Sequence, residues 1–97
     1  MQSLMIASFQ HKGLEALYRT GAKKGVRQDQ VKRLARILTA LENAIEPKDL
    51  DLPGYKLHRL SGARKGTWSV WVSGNWRVTF TFAENGNVAE VNLEDYH

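Results

Sequence analysis

Cysteine is absent from the 97 residues, which excludes a disulfide framework, thiolate catalysis and a cysteine-ligated zinc site. There are 2 prolines, Pro47 and Pro53, so the backbone has few enforced breaks. No apolar run approaches the roughly 20 residues of a membrane-spanning helix. Residues 1–9 are too short, and lack the basic lead, for a secretory signal. These absences point to a cytoplasmic protein that does not enter a membrane. A phosphate-cradling glycine motif is missing, and no nucleophile elbow surrounds Ser61, which follows His58. His11, His58 and His97 are far apart, with no carboxylate pair at ligand spacing. The expectation is therefore no metal, no cofactor and no deep hydrolase pocket.

Acid is scarce wherever base is dense. The formal net charge is +4 and the isoelectric point about 9.6, but the charges are segregated. Lys12, Arg19, Lys23, Lys24, Arg27, Lys32, Arg33 and Arg36 face only Glu15 and Asp29 within residues 10–36. Residues 55–77 hold Lys56, Arg59, Arg64, Lys65 and Arg77 and no acid. The acids collect in residues 37–54 and towards the C-terminus. Segregated positive charge favours a polyanion such as nucleic acid. For residues 10–36, a merely solvated basic face is an equal reading. For residues 55–77, where a histidine accompanies the charge, an anion is favoured.

A hydrophobic fraction of 42% and a charged fraction of 25% are ordinary for a folded chain, and the length predicts one domain, 1–97. The stretch from Trp68 to Phe82 organises it. Trp76, Val78, Phe80 and Phe82 alternate with Arg77, Thr79 and Thr81, the period of two that a half-buried strand requires. A turn at Ser73–Asn75 joins this strand to the one before it. Val31, Leu34, Leu38, Leu41 and Ile45 recur at steps of three and four, which predicts a helix from Gln28 to Ala44 ended by Pro47. A shorter helix is predicted from His11 to Arg19, flanked by His11 and stopped at Thr20-Gly21. Leu4–Phe9 reads as a short strand, Tyr55–Leu60 as an alternating one, and Val88–Leu93 as the last, after an Asn85-Gly86 hairpin signal. The fold class is α+β: two N-terminal helices on one face of a largely antiparallel, twisted sheet of four to five strands.

The other sheet face is then open. Lys56, His58, Arg77, Thr79 and Thr81 share outward parity, and the terminal Tyr96 and His97 join them if the last strand returns alongside. A cation can neutralise charge building on a phosphate, and an imidazole can exchange a proton near neutral pH. Plainer readings stand beside these. From position alone a surface ion-pair partner is the slightly stronger reading of Arg77; His58 reads as an inert exposed histidine, Tyr96 as a packing anchor and His97 as a frayed end. Trp68 and Trp76 read as core; for Trp71, of outward parity, stacking on a base or on a partner protein is open.

Tyr55-Lys-Leu-His58, Leu60-x-Gly62, Gly66-x-Trp68-Ser69-Val70, Asn75-Trp76-Arg77-Val78-Thr79-Phe80 and Glu94-Asp95-Tyr96-His97 resemble the HigB toxins of the RelE/ParE toxin–antitoxin superfamily. Ser8-Phe9-x-His11-Lys12-Gly13-Leu14 matches the opening of that family, so the likeness covers nearly the whole chain. It implies a RelE-like fold and a ribosome-dependent endoribonuclease that cuts mRNA in the A site by metal-free 2′-OH attack. It also implies a helix-turn-helix antitoxin partner and contact with ribosomal RNA. Carried over by motif, His58, Arg77, Tyr96 and His97 are the catalytic set, with Arg77 clamping the phosphate and His97 transferring protons beside Asp95. Lys56, Arg59, Arg64, Lys65 and Asp95 are the expected RNA-binding set. The likeness departs at Ser61, where family members often carry a lysine; Arg59, Arg64 or Lys65 would then supply that phosphate contact. Two alternatives are a ParE-like cousin that poisons gyrase and a non-catalytic RNA-binding module. The His58 and His97 pair argues against a pure binder, which needs no titratable groups.

Overall fold

A computed structural model describes residues 6–95. Helix α1 spans Lys12–Thr20 and α2 spans Val31–Asn43. Four strands follow, β1 His58–Arg59, β2 Trp68–Ser73, β3 Trp76–Phe82 and β4 Val88–Asp95. They form one antiparallel sheet in the order β1-β2-β3-β4. Of the strand expected over Leu4–Phe9, residues 4 and 5 lie outside the described residues; Ile6 and Phe9 bridge in parallel to Val88 and Val91, as two isolated bridges along β4. The α+β architecture matches the expectation.

His11 caps α1, its Nδ1 accepting from the Leu14 N–H at 3.0 Å. Gly21 ends the helix in the left-handed region (φ 77) and donates its N–H to the Leu17 carbonyl, the role glycine fills without a Cβ clash. The second helix begins later than its periodicity predicts: Gln28–Gln30 forms a 3₁₀ turn before the α-helix proper. Leu34, Ile37, Leu38 and Leu41 are its buried face. Ile45 belongs to the sequence stripe but is 81% exposed. Ala44 has already turned extended (ψ 137), which swings Ile45 off the helical phase. Leu50, on the 3₁₀ turn Pro47–Leu50, is fully buried and joins the core beyond the helix end.

The helices cover Val70, Val72, Val78, Phe80, Val91 and Leu93, with Leu14 and Leu17 completing the cluster. Trp68 and Trp76 pack against this core, as their parity predicts. The strand expected over Tyr55–Leu60 shrinks to its last paired residues. Lys56 adopts φ 50, which breaks the extended run, although Tyr55 still accepts from the Trp71 N–H at 2.7 Å.

Gly13 and Gly25 bring two backbones into direct contact. A Cβ on Gly25 would sit 2.6 Å from Gly13 Cα, and one on Gly13 would overlap the Gly25 carbonyl. Helix propensity favours alanine over glycine by about 1 kcal/mol in a helix interior, yet this packing reverses the sign. We expect Gly13→Ala to destabilise the fold by about 1–3 kcal/mol, read as a lowered urea midpoint; a midpoint at or above wild type would refute the tight contact.

Candidate functional site

The open face of the sheet carries a shallow hollow of about 450 Å³ lined by Lys56, Leu57, His58, Ser69 and Arg77. Register explains the assembly. His58 pairs with Ser69, Ser69 with Thr79, and Trp71 with Arg77. His58 and Arg77 are thus two strands and one pleat repeat apart, about 10–12 Å at the backbone, and their long side chains close on the hollow from opposite sides. The face is less bare than alternation predicts. Ser69 and Thr79 are each only 1% exposed.

Glu94 covers part of it. Arg64, in the loop between β1 and β2, donates two parallel hydrogen bonds to Glu94, Nη1 to Oε1 at 2.8 Å and Nη2 to Oε2 at 2.7 Å. Thr79 Oγ1 donates to Oε2 at 2.7 Å, and Asn92 Nδ2 donates to the same oxygen at 3.4 Å. The Arg64 hydrogen bonds hold this carboxyl below its ordinary range; partial burial opposes them, and the Thr79 hydroxyl, the Arg64 charge and Asn92 add to the lowering. Glu94 is also the register partner of Arg77. The one carboxylate directly across from Arg77 is therefore already committed elsewhere. Among the described residues, Arg77 has no hydrogen-bond or ion-pair partner, although it is half-buried.

Lys56, His58 and Arg77 come together, as their parity predicts. Arg59 does not join them: it lies on the other side of β1, with its guanidinium 5.6 Å from the centroid of the Trp68 ring. Arg64 is bound to Glu94. Lys65 lies at a separate surface depression with Gly66, Thr67, Thr81 and Glu90. Of the cations expected to replace the missing lysine at Ser61, none reaches the hollow, and Lys56 is the ammonium that does. Asp95 ends β4 opposite Trp76. Tyr96 and His97 lie outside the described residues. Arg33 is drawn inward, donating to the Gly54 and Trp71 carbonyls at 2.7 and 3.2 Å, so it is not part of a solvated basic face.

Ser69 and Glu94 are residues of this face that the sequence does not single out, and the burial of Thr79 is a further feature it does not show. Thr79 has outward parity but nothing to mark it as buried; for Glu94, parity shows only if the last strand is extended past Leu93. Among the described residues, no group of three His, Cys, Asp or Glu could hold a metal ion, and no helix is long and apolar enough to cross a membrane. The arrangement offers a guanidinium, an ammonium and an imidazole around a shallow concavity, which suits a phosphate diester.

Two comparisons with known proteins bear on this site. A family model described as the RelE-like toxin of the type II toxin–antitoxin system HigB matches residues 7–97. The Endoribonuclease HigB of Proteus vulgaris is 46% identical over 93 residues, which is 96% of this chain and 100% of that protein.

The depressed Glu94 value fixes a pH dependence. A group whose folded pKa is lowered binds more protons when unfolded, so its stabilisation is complete above its ordinary value of 4.5 and is lost as pH falls through the folded value. Wild type should exceed Glu94→Gln by about 1 kcal/mol near pH 7, at the upper end for a half-exposed bidentate pair. Urea unfolding at stepped pH should show that gap closing in acid; a gap independent of pH would rule out the ionised pair.

Proposed function

The chain belongs to the HigB-like family of RelE-like toxins of type II toxin–antitoxin systems, and from that premise we propose that it is an endoribonuclease cutting mRNA in the ribosomal A site. A toxin of such a system has an antitoxin partner, and an endoribonuclease has an RNA substrate. The finer reading is a helix-turn-helix antitoxin, a ribosome-bound mRNA and action in the cytoplasm, where translation occurs. The observation that carries the proposal is Arg77: a half-buried guanidinium on a rigid strand, facing a hollow, with its cross-strand carboxylate held by Arg64.

In the proposed reaction a ribose 2′ oxygen attacks the adjacent phosphorus. The bond from 2′ oxygen to phosphorus forms as the bond to the 5′ oxygen breaks. This leaves a 2′,3′-cyclic phosphate and a 5′-hydroxyl. Arg77 stabilises the charge that accumulates on the non-bridging oxygens, where a preorganised donor contributes most. The 2′-OH must lose a proton and the departing 5′ oxygen must gain one. His97 is assigned the proton transfer, with Tyr96 and His58 orienting RNA or assisting and Asp95 supporting His97. Glu94 pairs with Arg77 and Asp95 with Trp76, so the described end of β4 runs alongside Arg77. Since the substrate supplies its own nucleophile, the chemistry needs no metal-activated water. Lys56 contributes the ammonium that Ser61 does not. Arg59 and Lys65 are RNA contacts outside the hollow, and Arg64 acts through its hold on Glu94. Lys32, Arg36 and the cations at positions 12, 23 and 24 are assigned to ribosomal RNA.

The test is to add the chain to translating ribosomes and map new mRNA ends. Codon-aligned cuts should appear, and Arg77→Ala should lower the cleavage rate by about 10²–10³-fold. Because Arg77 has no partner among the described residues, its loss should change stability by less than about 0.5 kcal/mol. Intact mRNA with inhibited gyrase would overturn the proposal in favour of the gyrase-poisoning cousin. Naked RNA should be cut poorly, because a shallow hollow positions it weakly; rapid cleavage of naked RNA by the pure chain would contradict the ribosome dependence.

A further inference from the structure

Trp68 and Trp76 pack against the hydrophobic core, whereas Trp71 does not belong to that packing. It sits on the open face of β2, half-buried, as the register partner of Arg77. Its indole is fixed at one edge, Nε1 donating to the Gly74 carbonyl in the β2–β3 turn at 2.9 Å. Two cations approach the ring. The Arg33 guanidinium lies 5.5 Å from its centroid and is anchored to the Gly54 and Trp71 carbonyls. The Lys56 ammonium lies 4.5 Å from the centroid, is exposed, and has no ion-pair partner among the described residues.

These cations differ in what holds them. Arg33 is tied by two hydrogen bonds. Among the described residues Lys56 is held by a cation–π attraction alone, which in an exposed setting is weaker than the stacking of a nucleobase on an aromatic ring. The Lys56 backbone is in the left-handed region (φ 50), a conformation that costs a lysine energy and that tends to persist at functional sites. A rigid indole beside the proposed phosphate clamp is thus covered by a flexible, displaceable ammonium.

We propose that Trp71 is the stacking platform for a nucleobase adjoining the scissile phosphate, and that Lys56 leaves the ring for the phosphate as the base docks. The inference rests on the mRNA-cleavage reading and names a substrate contact within it. Stacking is tolerant of base identity because every base has a π-face, so Trp71 holds the substrate in place while other contacts set codon preference.

The experiment is single-turnover cleavage of mRNA on programmed ribosomes, titrating wild type, Trp71→Phe and Trp71→Ala against normal mRNA and mRNA abasic on either side of the cut. Trp71→Ala should raise the half-maximal toxin concentration about 5–100-fold, while Trp71→Phe keeps an aromatic face and stays near wild type. One abasic position should produce a similar rise in wild type and little further rise in Trp71→Ala, since both changes remove the same contact. Wild-type behaviour of Trp71→Ala, or losses that multiply independently, would overturn the proposal. Should Trp71→Ala fail to fold by circular dichroism, the abasic series with wild type and Trp71→Phe decides: no shift at either position overturns it. A wild-type chain that cuts no mRNA at all defeats the cleavage reading itself, a result distinct from cleavage indifferent to position 71.

Discussion

Glu94 faces Arg77 across β3 and β4, and opposite charges directly opposed on neighbouring strands attract. Left uncommitted, that carboxylate would neutralise the guanidinium and close the hollow to anions. Arg64 prevents this with two parallel hydrogen bonds, reaching across 30 residues of sequence. Thr79, buried beneath, donates its hydroxyl to the same carboxylate. The cationic character of the hollow thus depends on an ion pair beside it. Arg64 acts by occupying Glu94, and what it leaves behind is a half-buried Arg77 for which an external phosphate is the natural counter-ion.

The platform under the hollow is held from the helical layer. Gln30, at the start of the second helical segment, is 1% exposed and donates to Ser73 Oγ at 2.9 Å. Arg33, one turn on, lies 4.9 Å from the centroid of the Tyr55 ring and bonds the backbone on both sides of the site, at Gly54 and Trp71. The Gln30–Ser73 and Arg33–Trp71 ties cross from the helical layer to the β2–β3 hairpin that carries Trp71 and Arg77. A site whose members sit on strands braced in this way needs little rearrangement to receive a ligand. The flexible exception is Lys56, held on a strained turn with only a ring as its side-chain partner among the described residues.

Local periodicity makes the scaffold legible in the sequence. The alternation from Trp68 to Phe82 and the three-and-four spacing of Leu34, Leu38 and Leu41 follow from one buried face each, and both survive in the fold. Parity likewise places Lys56, His58 and Arg77 on one face. What stays hidden arises from contacts between residues distant in sequence. Parity sets Arg77 on a strand and leaves Arg64 in a loop, but nothing in the sequence says that Arg64 rather than Arg77 takes Glu94. Lys32, Arg33 and Arg36 read alike along the helix, yet only Arg33 has carbonyls and rings within reach. Ile45 keeps the stripe but loses the helix, because periodicity continues in the sequence where the backbone has already turned.

Exposure sets how strong such a site can be. At 4 Å a guanidinium and a phosphate charge attract by about 1 kcal/mol in bulk water and about 4 kcal/mol at an effective dielectric of 20. The hollow is shallow and its cations are half-buried or exposed, so on its own the chain works nearer the first figure. A large partner that covers the hollow and excludes water moves it towards the second. Only the part of that gain realised in the transition state, net of the desolvation cost, raises the rate, at about 1.4 kcal/mol per factor of ten. The same burial orients an mRNA that the bare surface could not. On the proposed reading, dependence on the ribosome follows from the shape of the site: Arg77 and Lys56 would supply charge, while the ribosome would supply the low dielectric and the alignment.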